Sequence, residues 1–360
     1  MSAAQRHLAA IAAAPRPAGG DAERRARDYC ATVLRAVGCT VAERPFEYST
    51  LPGKWGTPLA GACLVVLFAA AGHLGFRAHT LAALLVLAFG AALLSGLAFW
   101  LGAQGVLDIP FARASGINLE AARGRPTLWL VAHLDSKSQP VPIVVRAVGI
   151  IGSIAMWVLA AMLALAQLLG AHAYVLWVPV TLLGVLAALP VMASTVGARS
   201  PGALDDASGV VTVLRTIELL PRELSIGVLL TSAEELGLAG ARAWARTAAP
   251  ARAVNVDGVD DHGEVRLIYT GHVPLALVAV LGQGGDAWPA PKRLPPGALM
   301  DGVELADAGF QVLNVSKGSL RTVSRIHTPR DDLARLDGRG AEEVAGMLAR
   351  AIASEPAATF

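Results

Sequence analysis

The sequence predicts an α/β domain interrupted twice by membrane-spanning helical hairpins, and three observations lead there. Four apolar runs, Pro58 to Phe76, Thr80 to Leu101, Ala147 to Leu169 and Ala173 to Ser194, contain no Asp, Glu, Lys or Arg. At about 20 residues each they are long enough to cross roughly 30 Å of hydrocarbon. The polar remainder alternates strand and helix signals, which is the rhythm of an α/β domain. Acid-rich or histidine-bearing spots follow the apolar strands, where open α/β sheets place their ligand sites.

Composition agrees with this division. The chain of 360 residues is 54% hydrophobic and 16% charged, with a mean hydropathy of +0.52. That is too apolar for an ordinary soluble domain and too charged for a wholly embedded one. Core helices of soluble domains rarely run so far without a charge, so the runs read as transmembrane. The connections Gly75 to His79 and Gly170 to His172 are short enough for antiparallel hairpins, and Gly90, Gly96, Gly149, Gly152 and Gly184 are expected to let helices approach closely. The hairpins are placed at 56–102 and 141–196, and the discontinuous domain at 1–55, 103–140 and 197–360.

A net charge of +2 without a Lys/Arg cluster gives no reason to expect nucleic acid. Cys30, Cys39 and Cys63 form no CxxC pair, and an odd number with one inside an apolar run argues against a disulfide framework. The opening HLAAIAAAPRPAGG reads as a short amphipathic helix and lacks the apolar length of a signal peptide.

Within the domain, Asp21 is expected to cap a helix from Ala22 to Val37 that Gly38 closes, followed by a strand from Thr40 to Tyr48. Ile117 to Ala122 and Thr127 to Ala132 flank the turn Arg-Gly-Arg-Pro and read as an antiparallel pair. A helix near Ala207 to Leu220, a strand Ser225 to Thr231, a helix Ala239 to Thr247 and a strand Arg252 to Asp257 then give a βαβ rhythm. Strands at Val265 to Tyr269 and Gln311 to Ser316 and a helix Ala341 to Ser354 complete it.

The chemistry-bearing spots are AHLDS (His133, Asp135), GALDDASG (Asp205, Asp206), SAEELG (Glu234, Glu235), NVDG (Asp257) and RIHTPRDD (His327). Singly, each has an ordinary reading: a surface pair, a helix N-cap, a solvated helix start. Jointly, two imidazoles and several carboxylates suit zinc or a similar divalent ion.

In this order the motifs resemble those of the co-catalytic di-zinc aminopeptidase family, whose members include glutaminyl cyclases and glutamate carboxypeptidase. The resemblance covers nearly all of the sequence outside the apolar runs. It implies a zinc-exopeptidase-like three-layer fold around a mixed sheet, and two Zn2+ ions. By position, His133, Asp205 and Asp257 would hold one ion and Asp205, Glu235 and His327 the other, with Asp205 shared. Glu234 would be the general base acting on a metal-activated water, and Asp135 the carboxylate that orients His133. Asp206 would fix the bridging loop, and Gly209 would give the following helix room. Family members usually carry Ser-Asp-His where this chain has Met300, Asp301 and Gly302. Asp301 is therefore expected to orient His327, touch substrate or cap a helix.

The resemblance implies a membrane-bound zinc aminopeptidase acting on peptides. An alternative keeps the centre and changes the amide: a deacylase or glutaminyl-cyclase-like enzyme acting on lipidated or apolar substrates. A non-catalytic membrane scaffold fits less well, because every ligand position and Glu234 are filled. The substrate is a peptide or amide, with apolar or membrane-anchored ones in view, and the lipid bilayer is the other partner. Lys54, Arg113, Lys137, Arg146 and Arg199 flank the domain side of the runs and only Arg77 lies in a connecting turn, which puts the domain in the cytoplasm of a multi-pass inner or plasma membrane protein. Both hairpins are expected to leave the domain at the strand ends that carry the ligands, with the site opening toward the membrane.

Overall fold

The computed structural model describes residues 1–295 and 297–355. Positions 296 and 356–360, which the sequence assigns to the discontinuous domain, lie outside the described residues. The chain divides into two compact units. One comprises Met1–Tyr48, Arg113–Ser138 and the described residues from Gly197 onward; the other comprises Ser49–Ala112 and Gln139–Val196.

The first unit is built on eight strands: β1 (Thr40–Ser49), β2 (Arg113–Arg123), β3 (Leu128–His133), β4 (Ile226–Thr231), β5 (Arg252–Val259), β6 (Glu264–Tyr269), β7 (Lys292–Arg293) and β8 (Gln311–Gly318). They form one mixed sheet in the order β1-β2-β4-β3-β5-β8-β6-β7. The centre is parallel, through β4 with β3, β3 with β5 and β5 with β8, while β2 runs against β4 and β6 against β8.

Side chains alternate along these strands with the period of two that a pleated sheet imposes. Leu130 and Ala132, Val228 and Leu230, Val254 and Val256, and Leu313 and Val315 face one core. Val131, Leu229, Ala253 and Val312 face another, with Trp244, Leu305 and Phe310. Helices Ala3–Ile11, Asp21–Ala36, Ser208–Leu219 and Arg339–Ala353 supply apolar residues to the first core, and Ala239–Ala245 and Asp301–Asp307 to the second. A sheet buried on both faces is the three-layer α/β architecture.

The expected β2–β3 pair is a correction. The two strands do run in opposite directions, but β4 lies between them, hydrogen-bonded to both. All six residues of β4 are buried, so it gains from a central position with both edges paired, and a turn between neighbours in sequence cannot reveal that intrusion. Because β2 is antiparallel to β4, it begins at the end of the sheet where β3 and β4 finish. Smaller differences are local. Gly20, not Asp21, is the N-cap of the second helix, and Asp21 is its first residue. Helix Leu275–Gln283, which has no side-chain cap, lies outside the elements read from the sequence, and a helix does begin at Asp301, running to Asp307.

The second unit contains four helices long and apolar enough to cross a membrane: Pro52–Phe76, Thr80–Trp100, Ile143–Leu168 and Tyr174–Met192. The third begins at Ile143, just after Pro142, and so takes Arg146 into its first turn. Helix Thr57–Phe76 packs on Thr80–Trp100 and on Trp177–Met192, and Ile143–Leu168 packs on Trp177–Met192. Close approach is explicit at Gly61, where a Cβ would stand 2.2 Å from the Met192 nitrogen, and at Gly75, where it would enter the Trp177 ring. Gly96, expected at a contact, has nothing within 4 Å of its would-be Cβ. Outward residues are apolar, with Val66, Leu85, Ile151 and Leu182 each more than 60% exposed, the surface that hydrocarbon would cover. Inside, Gln167 Oε1 accepts from Trp177 Nε1 at 2.9 Å and from Thr80 Oγ1 at 3.3 Å.

Candidate metal centre

The parallel strands end in the chemistry. His133 is the last residue of β3, Glu234 and Glu235 follow β4 in a short 3-10 turn, and Asp257 lies near the end of β5. Asp205 and Asp206, joined by a cis peptide bond, precede helix Ser208–Leu219. His327 arrives from the loop after β8, with a left-handed φ of 63°. A non-glycine residue holds that conformation only where its surroundings impose it.

These side chains converge in two groups. Ligand atoms of His133, Glu234 and Asp257 lie within 4.8 Å of one another, and so do those of Asp205, Glu235 and His327. Asp205 faces both groups, since Oδ1 is 3.1 Å from His133 Nε2 and Oδ2 is 3.1 Å from His327 Nε2. Glu235 Oε1 is also 3.1 Å from His327 Nε2. Donors tetrahedrally arranged about 2 Å from one ion stand about 3.3 Å apart, so these separations fit divalent cations with small adjustment. Glu234 Oε2 is farther off, 3.9 Å from His133 Nε2.

Charge makes the same point. His133, Asp205, Glu234 and Glu235 are each at most 8% exposed. Burial pushes the Glu234 carboxyl well above its ordinary range, and Glu235, Asp301 and Asp257 push it further. Burial and the neighbouring Asp205 and Asp301 likewise raise Asp257 to about 7. Burial works against the charged imidazole of His133, yet Glu234, Asp135 and Asp205 hold it well above its ordinary value. Asp205 behaves oppositely: despite burial, hydrogen bonds from His133 and His327 keep it well below the usual carboxylate range. A cluster that holds protons this strongly is short of positive charge, and bound divalent cations are the chemical remedy.

The supporting residues have definite roles. Asp135 Oδ1 accepts from Glu234 N at 3.0 Å and Oδ2 from Glu235 N at 3.2 Å. His133 Nδ1 meets the Asp135 backbone carbonyl at 3.1 Å, with the carboxylate 3.7 Å away. The Asp135 carboxylate therefore fixes the Glu234–Glu235 turn, and its carbonyl orients His133. Asp206 accepts from the backbone nitrogens of His133, Gly209 and Gly258, tying two strand ends to the start of a helix. A Cβ on Gly209 would lie 2.2 Å from Asp206 Oδ1, so the helix can start there only with glycine.

Asp301 requires a correction. Its Oδ2 accepts from Thr231 Oγ1, the helix N-cap is Met300 with no side-chain bond, and His327 Nδ1 is buried without a partner. Asp301 is thus a buried carboxyl that interacts electrostatically with Glu234 and is raised to about 7, chiefly by burial, and it makes no hydrogen bond to His327. Three residues passed over in the sequence also belong here. Lys137 Nζ lies 2.6 Å from Glu235 Oε2. Asp331 accepts from Leu204 N at 2.6 Å and Asp205 N at 3.1 Å. Arg16 is fully buried beside the same loops.

A family model described as peptidase family M28 matches residues 189–352. No curated protein sequence matches significantly. Solved structures share the fold. An aminopeptidase from Aneurinibacillus sp. strain AM-1 is 14% identical with a TM-score of 0.55, over 97% of this chain and 92% of its own. A Bacteroides thetaiotaomicron glutaminyl cyclase bound to N-acetylhistamine is 14% identical with a TM-score of 0.55, over 98% and 97%. A zinc aminopeptidase from Bacillus subtilis is 15% identical with a TM-score of 0.53, over 97% and 93%. These findings match the co-catalytic zinc exopeptidase family that the sequence motifs resemble.

Proposed function

We propose that this chain, a relative of the M28 peptidases that shares the fold of the zinc aminopeptidases and glutaminyl cyclases, is a membrane-embedded metallohydrolase that removes N-terminal residues from peptides. The observation that carries the reading is Asp205, whose two oxygens each lie 3.1 Å from a different histidine, the arrangement of a carboxylate shared by two cations. His133, Asp205 and Asp257 would hold one ion, and Asp205, Glu235 and His327 the other. When bound, such cations supply Lewis acidity toward the amide carbonyl and acidify a water.

The chain's own residues do the rest. Glu234, next in sequence to a ligand and farther from the histidines, takes a proton from water and passes it to the leaving amine. Asp135 holds Glu234 and Glu235 by their backbone nitrogens, which keeps base and ligand side by side. Asp206 and Asp331 hold the loop on which Asp205 stands. The four apolar helices favour substrates that are apolar or membrane-anchored, and the Lys/Arg bias of their flanks favours a cytoplasmic catalytic unit.

The purified full chain in detergent should hydrolyse aminoacyl fluorogenic substrates, lose that activity to a chelator and regain it with Zn2+. Activity confined to N-acylated substrates, or cyclisation of N-terminal glutamine without hydrolysis, would replace aminopeptidase by one of the other amide chemistries. No metal-dependent activity on any of the three would end the enzymatic reading.

A further inference from the structure

Arg16 stands in IAAAPRPAGG, a stretch with no other charge, and is 0% exposed. A guanidinium keeps its charge in proteins and carries five N–H donors, so burying one demands acceptors around the whole fork. Backbone carbonyls of three segments provide them. Nε donates to Leu134 O at 2.7 Å, between His133 and Asp135. Nη2 donates to Gly202 O at 2.9 Å, and Nη1 to Pro201 O and Ile11 O.

The main chain repeats the connection. Ser136 N donates to Arg16 O at 2.8 Å and Arg16 N to Ser136 Oγ at 3.0 Å, while Ser136 Oγ donates onward to Ser200 O at 3.0 Å. Gly202 has a φ of +62°, and a Cβ there would stand 2.5 Å from Ser136 Cβ and 3.2 Å from Arg16 Nη2. The junction has no room for a side chain.

The segments joined in this way are the two flanks of the second apolar hairpin. The chain passes His133, Leu134 and Ser136, departs after Ser138, returns at Gly197 and reaches Asp205 through Pro201 and Gly202. Ser138 and Gly197 exchange both backbone hydrogen bonds at 2.8 Å. His133 and Asp205 must nonetheless keep Nε2 and Oδ1 3.1 Å apart although a long insertion separates them, and a shift of about 1 Å is enough to spoil such a site.

We infer that Arg16 is a positioning residue for the cation centre, its buried guanidinium clamping the two flanks of the second hairpin so that His133 and Asp205 hold their separation. The inference rests on the reading of these residues as cation ligands. Arg27 provides a control: it is also buried, at 6% exposure, but pairs with Glu43 at 2.9 Å.

The test titrates Co2+ into metal-free full-length protein in detergent, following affinity and the visible absorption of the bound ion, in wild type, R16Q, R16K and R27Q. Losing a residue that orients ligands costs about 10-fold to 100-fold in metal affinity. R16Q should fall in that range with an altered absorption envelope, R16K should lie between it and wild type, and R27Q should match wild type. If R16Q does not fold, R16K against R27Q decides, and a weaker R16K supports the clamp. Wild-type binding in both Arg16 variants, or an equal loss in R27Q, overturns it. A wild type that binds no Co2+ removes the cation reading itself, and the clamp with it.

Discussion

The Lys137 ammonium lies 2.6 Å from Glu235 Oε2, while Glu235 Oε1 faces His327 at 3.1 Å. One carboxylate oxygen is thus committed to an internal cation, and only the other is free to ligate. The group formed by Asp205, Glu235 and His327 therefore offers a Glu235 carboxylate directly paired with a positive charge, which also acts on Glu234 and Asp205.

Lys137→Met should consequently strengthen the weaker of two cation-binding steps. A unit charge a few ångströms away at the effective dielectric of a protein site is worth a few kcal/mol, so a gain of at least about tenfold is expected. Isothermal titration with Zn2+ competed against a chelator measures both steps. An unchanged weaker step would mean that Lys137 does not act on the cation site.

Glu234→Gln should keep both cations and lose at least about 100-fold in turnover, the usual contribution of a positioned general base. Asp205→Ala should lose the cations themselves. Metal content by mass spectrometry, measured with hydrolysis rate on the same preparations, separates the two effects. Near-normal hydrolysis by Glu234→Gln would take the base away from this residue.

The metal-free protein should lose thermal stability as pH rises. Asp257 and Asp301 are raised to about 7, so each keeps a proton that the unfolded chain releases above about 4. His133 and His327 are also raised, and keep protons that the unfolded chain releases near about 6.5. Both effects put more protons on the folded state, so stability falls as pH climbs from about 4 through about 7 and beyond. Glu235, lowered to about 2, stabilises above its unfolded value and loses that contribution only in stronger acid. Melting temperature of chelator-treated protein should drop between about pH 5 and 8, and Zn2+ should flatten the curve. A metal-free Tm that climbs across this range would contradict the charge balance described.

For topology, the turn between the third and fourth apolar helices should face away from the cytoplasm. Gly170 has a φ of +99°, so a reporter cysteine belongs at the exposed His172 instead, in a chain whose exposed Cys63 is replaced by alanine. An impermeant thiol reagent should label it in intact cells. Labelling that requires lysis would place the catalytic unit on the opposite side.

His133, Glu235 and Asp257 were legible because they close or follow runs of apolar, strand-forming residues, whereas Asp205 and His327, on loops, were legible only through the joint motif pattern. The apolar helices were legible from length and missing charge alone. The place of β4 was not, since a turn's spacing says nothing about a strand that arrives about a hundred residues later to fill the gap. Arg16 gave no signal: a lone arginine between prolines reads as solvated, and its acceptors are carbonyls, which are the same for any sequence. The contact of Asp135 with His133 follows from their closeness in sequence, whereas its bonds to the Glu234 and Glu235 nitrogens gave no signal, because only the folded β4 turn brings them near.

The second hairpin lies between His133 and Asp205 in the chain, and this sets an order of events during synthesis. His133 leaves the ribosome before that hairpin, whereas Asp205, Glu235, Asp257 and finally His327 follow it, the last almost two hundred residues after His133. At about 5 to 20 residues per second, His133 waits roughly 10 to 40 s for its last partner, and both apolar hairpins are made in full before that partner appears. If the hairpins span a membrane as proposed, the nascent chain would be anchored before its candidate cation centre is complete.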